Sequence, residues 1–123
     1  MKIYVAGPMR GIKEFNFPAF NAATEYLRAL GHEVFNPAER DLQIGFDPAG
    51  MDGTDLEVKD AGFDLLAALG ADLAWIAGHA DCVVVLSGWR DSLGAQAEVT
   101  TARAPSIPVY AYSDLQDRMR PLA

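Results

Sequence analysis

The chain has 123 residues, half of them hydrophobic and 22% charged, with 17 Asp and Glu against 10 Lys and Arg for a net charge of −7. That length suits one domain spanning residues 1–123, large enough to bury a core without covalent staples, and so acidic a surface excludes tracking of a nucleic acid polymer's phosphates. A single cysteine, Cys82, rules out an intramolecular disulfide, and with only two histidines no metal site is expected.

Lys2 to Ala6 reads as a first strand, closed by Gly7-Pro8 and followed by a turn through Gly11. This start does not resemble a signal peptide, and no apolar run approaches the ~20 residues that span a bilayer. A cytoplasmic protein with no membrane partner is the expectation. Asn16 to Leu30 has helical spacing in Phe20, Ala23, Leu27 and Leu30, with Pro18 in the first turn and Gly31 at the carboxyl cap. Glu33 to Phe35 forms a second strand, ended by Asn36-Pro37. Residues 38 to 60 carry no clear period and read as a long loop, with at most a short helix around Leu56.

Phe63 to about Ala80 is helical and mostly apolar. Cys82 to Leu86 is a continuous apolar run suited to a parallel strand covered on both faces. A helix over residues 94–104, a strand from Ile107 to Tyr112 and a closing helix from Ser113 to Met119 complete the chain. This alternation predicts an α/β fold: a flavodoxin-like, Rossmann-like three-layer sandwich with a parallel sheet of four or five strands. Ligands of such sheets bind beyond the carboxyl ends of the strands, so chemistry is sought in the turns after them.

Three segments there could carry chemistry. In Gly7-Pro8-Met9-Arg10-Gly11 the glycines allow close backbone approach, and Arg10 offers a planar fork suited to phosphate. Neither a dinucleotide fingerprint nor a Walker loop is present, and a plain strand-ending turn with a surface arginine fits equally. In Asp91-Ser92-Leu93-Gly94-Ala95-Gln96-Ala97-Glu98 a helix opens after a buried strand. Its free N–H groups and Ser92 would cradle an anion, with Glu98 about 6 Å further along the axis from Gly94. The alternative is an ordinary capped helix with a first-turn glutamate. Asp72 lies in the apolar run Gly70 to Ile76, where burial would keep its carboxyl protonated and able to donate. The alternative places it on a polar stripe with Asp64, eight residues earlier. Phe15, Phe17, Trp89 and Cys82 read as packing residues; Asp81 reads as a turn residue, and His32 and His79 as helix-end residues.

Taken together, Ile3-Tyr4-Val5-Ala6-Gly7-Pro8, Asp72-Leu73-Ala74-Trp75-Ile76 with Ala80 to Val85, and Ser92-Leu93-Gly94 with Glu98 resemble the nucleoside 2-deoxyribosyltransferase superfamily. The branch that hydrolyses 2'-deoxynucleoside 5'-monophosphates, with its short phage-borne relatives, is the most similar. Gln96-Ala97 departs from the aromatic residue often found before that family's glutamate. The resemblance covers Ile3 to about Tyr112 and implies an N-glycosidase. Glu98 would attack the anomeric carbon, Asp72 would protonate the leaving base, and Tyr4 would orient Glu98. Gly7, Arg10, Gly11, Ser92 and Gly94 would hold a 5'-phosphate. It also implies a small-molecule nucleotide or nucleoside as substrate, no cofactor, and a homodimer. A transferase passing the sugar to a second base is one alternative, and a nucleotide-binding sensor without turnover is another.

Overall fold

The structure, a computed structural model, describes residues 1–118. Four parallel strands, β1 (Lys2–Ala6), β2 (Glu33–Phe35), β3 (Cys82–Val85) and β4 (Val109–Ala111), form one sheet in the order β2-β1-β3-β4. The helices are α1 (Phe17–Ala29), α2 (Pro37–Gln43), α3 (Asp55–Asp60), α4 (Leu65–His79), α5 (Leu93–Arg103) and α6 (Tyr112–Arg118). The order is that of a flavodoxin-like sheet, and the expected α/β sandwich is the observed fold. None of these helices is long and apolar enough to cross a membrane. Met119, the expected end of α6, lies outside the described residues.

The period of two along each strand sorts the core into two layers. Ile3 and Val5 of β1, with Cys82 and Val84 of β3, pack with Phe20, Ala23 and Leu27 of α1. Tyr4 and Ala6, with Val83 and Val85, face the other way onto Ile76 of α4 and Val99 and Ala102 of α5. Register pairs Ile3 with Cys82 and Tyr4 with Val83, so the two layers stay in step across the sheet. Both central strands are buried on both faces, which accounts for their near-continuous apolar sequence.

Caps set the helix starts. Ser92 Oγ accepts from the Ala95 N–H at 3.2 Å, and Asp64 Oδ1 accepts from the Ala67 N–H at 3.0 Å. Asp64 is therefore the cap of α4 and shares no helical stripe with Asp72, which is buried. The polar-stripe alternative for Asp72 fails for that reason. The expected loop over 38–60 needs correction at its start, where α2 stands, while α3 is the short helix expected around Leu56. Asn36 caps α2 by accepting from the Ala38 N–H at 2.9 Å, and Pro37 fits its first turn. Seven residues with few buried positions give no readable apolar period. Thr54 and Glu57 form a reciprocal capping box at the start of α3.

The turn after β1 is unusual. Glu14, Phe15 and Asn16 all take left-handed backbone angles, at φ 54°, 51° and 63°. Such angles cost non-glycine residues about 1–2 kcal/mol each, and the neighbourhood offsets that cost. Phe15 is buried, Asn16 Nδ2 donates to the Pro8 carbonyl at 2.9 Å, and the Glu14 N–H donates to the Met51 carbonyl at 2.7 Å. The last contact fastens residues 46–54 onto the β1–α1 turn. The close fit is reinforced by Gly11 N–H donating to the Gly53 carbonyl at 2.8 Å.

Two glycines near the strand ends differ in their reasons. A Cβ on Gly7 would lie 2.9 Å from Leu86 Cβ, whereas one on Gly94 would meet nothing nearer than Ser92 Oγ at 3.9 Å. Gly7→Ala is therefore expected to destabilise the fold by about 1–3 kcal/mol through overpacking. Gly94→Ala is expected to cause no loss, since alanine is the better helix former. Urea denaturation of the two variants checks the contrast.

Candidate functional site

Strand connections run in opposite directions from β1 and β3, which makes their adjacent carboxyl ends the switch point of the sheet. A cavity of about 230 Å³ opens there. The β1 turn contributes Gly7, Met9 and Arg10; α4 contributes Asp72; the start of α5 contributes Ser92, Gly94 and Glu98. Segments separated by most of the chain thus converge because the parallel sheet puts all its strand-ending turns on one edge.

Tyr4 follows the period of β1 onto the face covered by α4 and α5. It is fully buried, stacked on Phe35 with ring centroids 5.4 Å apart and tilted against Trp75 at 6.3 Å. Its hydroxyl donates a hydrogen bond to Glu98 Oε2. Burial, followed by the negative charge of Glu98, pushes the Tyr4 pKa well above its ordinary value, so it remains a proton donor to its partner. Glu98 itself is 7% exposed. Burial pushes its pKa up to about 8; the Tyr4 hydrogen bond opposes this, and Asp72 and Asp41 add to it.

Asp72 is also buried, and burial raises its pKa to about 6 against the pull of Arg40. Arg40 Nη1 lies 3.1 Å from Asp72 Oδ1 and donates to the Ala68 carbonyl at 3.3 Å. A third carboxyl, Asp41 of α2, lines the same cavity, with its pKa raised to about 7 by burial and by Asp72. Cys82 is buried in the core with its thiol pushed up to about 11, which suits a packing role. Among the described residues no group of His, Cys, Asp or Glu side chains is arranged to hold a metal ion.

Most of the residues singled out from sequence therefore share one place. Gly7, Arg10, Ser92, Gly94, Asp72 and Glu98 line the cavity, and Tyr4 lies beneath it, hydrogen-bonded to Glu98. Gly11 stands apart from that cavity and lines a neighbouring cleft of about 710 Å³, which shares Arg10, Ser92 and Leu93 with it. Arg10 is 46% exposed there and sits 3.6 Å from Asp55, an ion pair of little energy. Ser92 Oγ caps α5, and its O–H has no acceptor among the described residues. Phe15 and Phe17 are buried core residues, and Trp89 packs under Arg90 and Arg103.

Sequence reasoning missed Arg40, Asp41 and the aromatic wall of Phe46 and Phe63. The available signal was position: Arg40-Asp41 follows the second strand-ending turn, one of those facing the ligand edge of the sheet. Chemically, the arrangement can hold a negative charge on one carboxyl and a proton on another within an enclosed, partly apolar space.

Fold and site together define an α/β protein with a carboxyl-lined cavity at the switch point of its sheet. The chain belongs to the family described as a domain of unknown function, DUF4406, whose model matches residues 1–111. No curated protein matches it.

Buried carboxyls make stability pH-dependent with a defined sign. Where the folded pKa exceeds the unfolded one, the folded chain holds the extra proton, so stability is greatest below the unfolded pKa. It declines as pH rises through the folded value. For Glu98 the window runs from about 4.5 to about 8. The melting temperature is expected to fall between pH 5 and pH 9. Glu98→Gln should flatten that slope and be the more stable chain above pH 8, by about 1–3 kcal/mol. Calorimetry across that range checks both.

Proposed function

We propose that this protein hydrolyses the N-glycosidic bond of a nucleoside 5'-monophosphate, with Glu98 as nucleophile. The observation that carries the reading is a glutamate buried at the ligand edge of the sheet, held by a buried tyrosine and sharing its cavity with a second buried carboxyl. A carboxylate in that setting is costly to the fold, and covalent glycosyl transfer gives it a use.

In this reading the Glu98 carboxylate attacks the anomeric carbon as the bond to the base breaks, through an oxocarbenium-like transition state. The Tyr4 O–H makes the ionised form cheaper and fixes which oxygen is free to attack. Asp72, in its protonated form, delivers its proton to the departing base, and the resulting carboxylate is stabilised by Arg40. Water then attacks the glycosyl ester with proton removal by that carboxylate, which restores both groups. A second base in place of water would give the transferase.

Phosphate has a natural place between Arg10 and the start of α5. There the Leu93 and Gly94 N–H groups lack intrahelical partners and the Ser92 O–H has no acceptor among the described residues. Asp55 and Asp91 border the adjoining cleft, so Arg10 must leave Asp55 to meet the phosphate fully. The open space around Gly94 supports the same placement, because the fold itself does not require a glycine there.

Chromatography of reactions with ribo- and deoxynucleosides and their 5'-monophosphates should reveal free base, with monophosphates preferred. Glu98→Ala should lower the rate by at least a thousandfold and Asp72→Asn by about 10²–10⁴-fold. The pH profile of kcat/KM should be bell-shaped with limbs near 6 and 8, reporting the cluster as a whole. A new nucleoside formed only with added acceptor base would assign the transferase. Tight nucleotide binding without any product would assign a sensor.

A further inference from the structure

The helical layer made by α4 and α5 differs from the rest of the surface in two ways. In α4 every residue from Leu65 to Gly78 except Asp72 is apolar or glycine, yet only Ala68, Asp72 and Ile76 are buried. The outward positions Leu66, Ala67, Gly70, Ala74 and Ala77 are exposed, Leu66 to 82%. A helix that is hydrophobic all round belongs in an interior, and one copy of the chain covers a single stripe of this one.

The second difference is charge. Of the chain's 17 acidic residues, α4 and α5 contain Asp72 and Glu98 alone, and both are buried. Elsewhere α1 exposes Glu25, α3 exposes Asp55 and Asp60, and α6 exposes Asp114. A chain of net charge −7 repels its own copies wherever carboxylates meet, and the length of the α4–α5 face is where exposed carboxylates are missing.

Charge returns only at the ends of that face, and with opposite signs. Both helices start at the ligand edge, with Asp64 and Asp91 just before their first turns and His79 and Arg103 in their last turns. A two-fold axis through the middle of the face sets the helices of two copies antiparallel. The acidic end of each copy then meets the basic end of the other, with the helix dipoles opposed. Leu65 and Leu93, exposed to 44% and 73%, also line the cavity, so the apolar face reaches its rim.

We infer that a second copy of this chain docks on the α4–α5 face across a two-fold axis, making the protein a homodimer. Self-complementarity selects a copy as the occupant: an apolar middle with acidic and basic ends is what a face needs to pair with itself. Nothing in this contact depends on the nucleotide reading above.

Size-exclusion chromatography with light scattering at micromolar concentrations tests the contact, and the expected mass is twice that of the chain. Gly70→Glu puts an acid on the exposed stripe at a position where a Cβ meets nothing within 4 Å and glycine is the poorer helix former. That variant should fold, by circular dichroism, and raise the dissociation constant of the dimer at least tenfold. Leu66→Glu should do the same without touching the core, while Glu25→Gln on α1 should leave the dimer as it is. A parent chain of single mass would overturn the second copy as occupant. A dimer that survives both Gly70→Glu and Leu66→Glu would overturn the choice of face. Failure of both variants to fold would show that one chain already covers this face, and would overturn the inference as well.

Discussion

The site depends on keeping the Glu98 carboxyl out of water and against the Tyr4 hydroxyl. An isolated buried carboxylate is too costly to persist, so the group either takes a proton or finds a donor. Tyr4 supplies that donor from the centre of the sheet, where Phe35 and Trp75 leave its ring no alternative position. The register of β1 against β3 then determines where Tyr4 stands, and the Ser92 cap determines where α5 begins and so where Glu98 projects. Core packing and site geometry are one construction: a shift of β1 by one residue would turn Tyr4 to the opposite layer and leave Glu98 without its partner.

Neighbouring charges complete the balance. Asp72, Asp41 and Glu98 share a small space with Arg40, and each additional negative charge raises the cost of the others. The cluster titrates together, and its members divide by what they touch. Glu98 accepts from the Tyr4 hydroxyl, Asp72 is hydrogen-bonded to Arg40 and also stabilised by Tyr4, and Asp41 feels the charge of Arg40 while its Oδ1 has no hydrogen-bond partner among the described residues. In the proposed reaction, these different partners are the reason Glu98 and Asp72 take different parts.

Much of this was legible from sequence because it rests on period and punctuation. The valine run of β3, the alternation in β1, Pro18 and Gly31 around α1, and the Ser92 start of α5 each carry a local signal that the sheet preserves. With the parallel order inferred, the turns after β1 and β3 had to meet on one edge, so Arg10, Ser92 and Glu98 could be placed together before any coordinate. What failed was the stretch from Pro37 to Gln43, since the short helix around Leu56 is present as α3. There α2 is held by an Asn cap, by the bidentate contact of Arg28 with Glu39 at 2.8 and 2.9 Å, and by long-range packing of Ala38 rather than by an apolar stripe. Arg40 and Asp41 carried no signal in the sequence because their burial is created by elements distant in sequence. The same holds for Asp72: its spacing from Asp64 suggested a polar face, and only the cap geometry shows that Asp64 stands outside the helix.

The central claim is that Glu98 forms a covalent bond to a sugar. Incubation with a 2'-fluorinated nucleoside 5'-monophosphate slows the oxocarbenium-like step that releases the sugar, so the intermediate should accumulate. Intact-mass and peptide mass spectrometry are expected to find one sugar phosphate attached to the peptide carrying Glu98, and none in Glu98→Ala. Steady release of base from the natural nucleotide without any adduct from the analogue, or an adduct on another residue, would contradict the account.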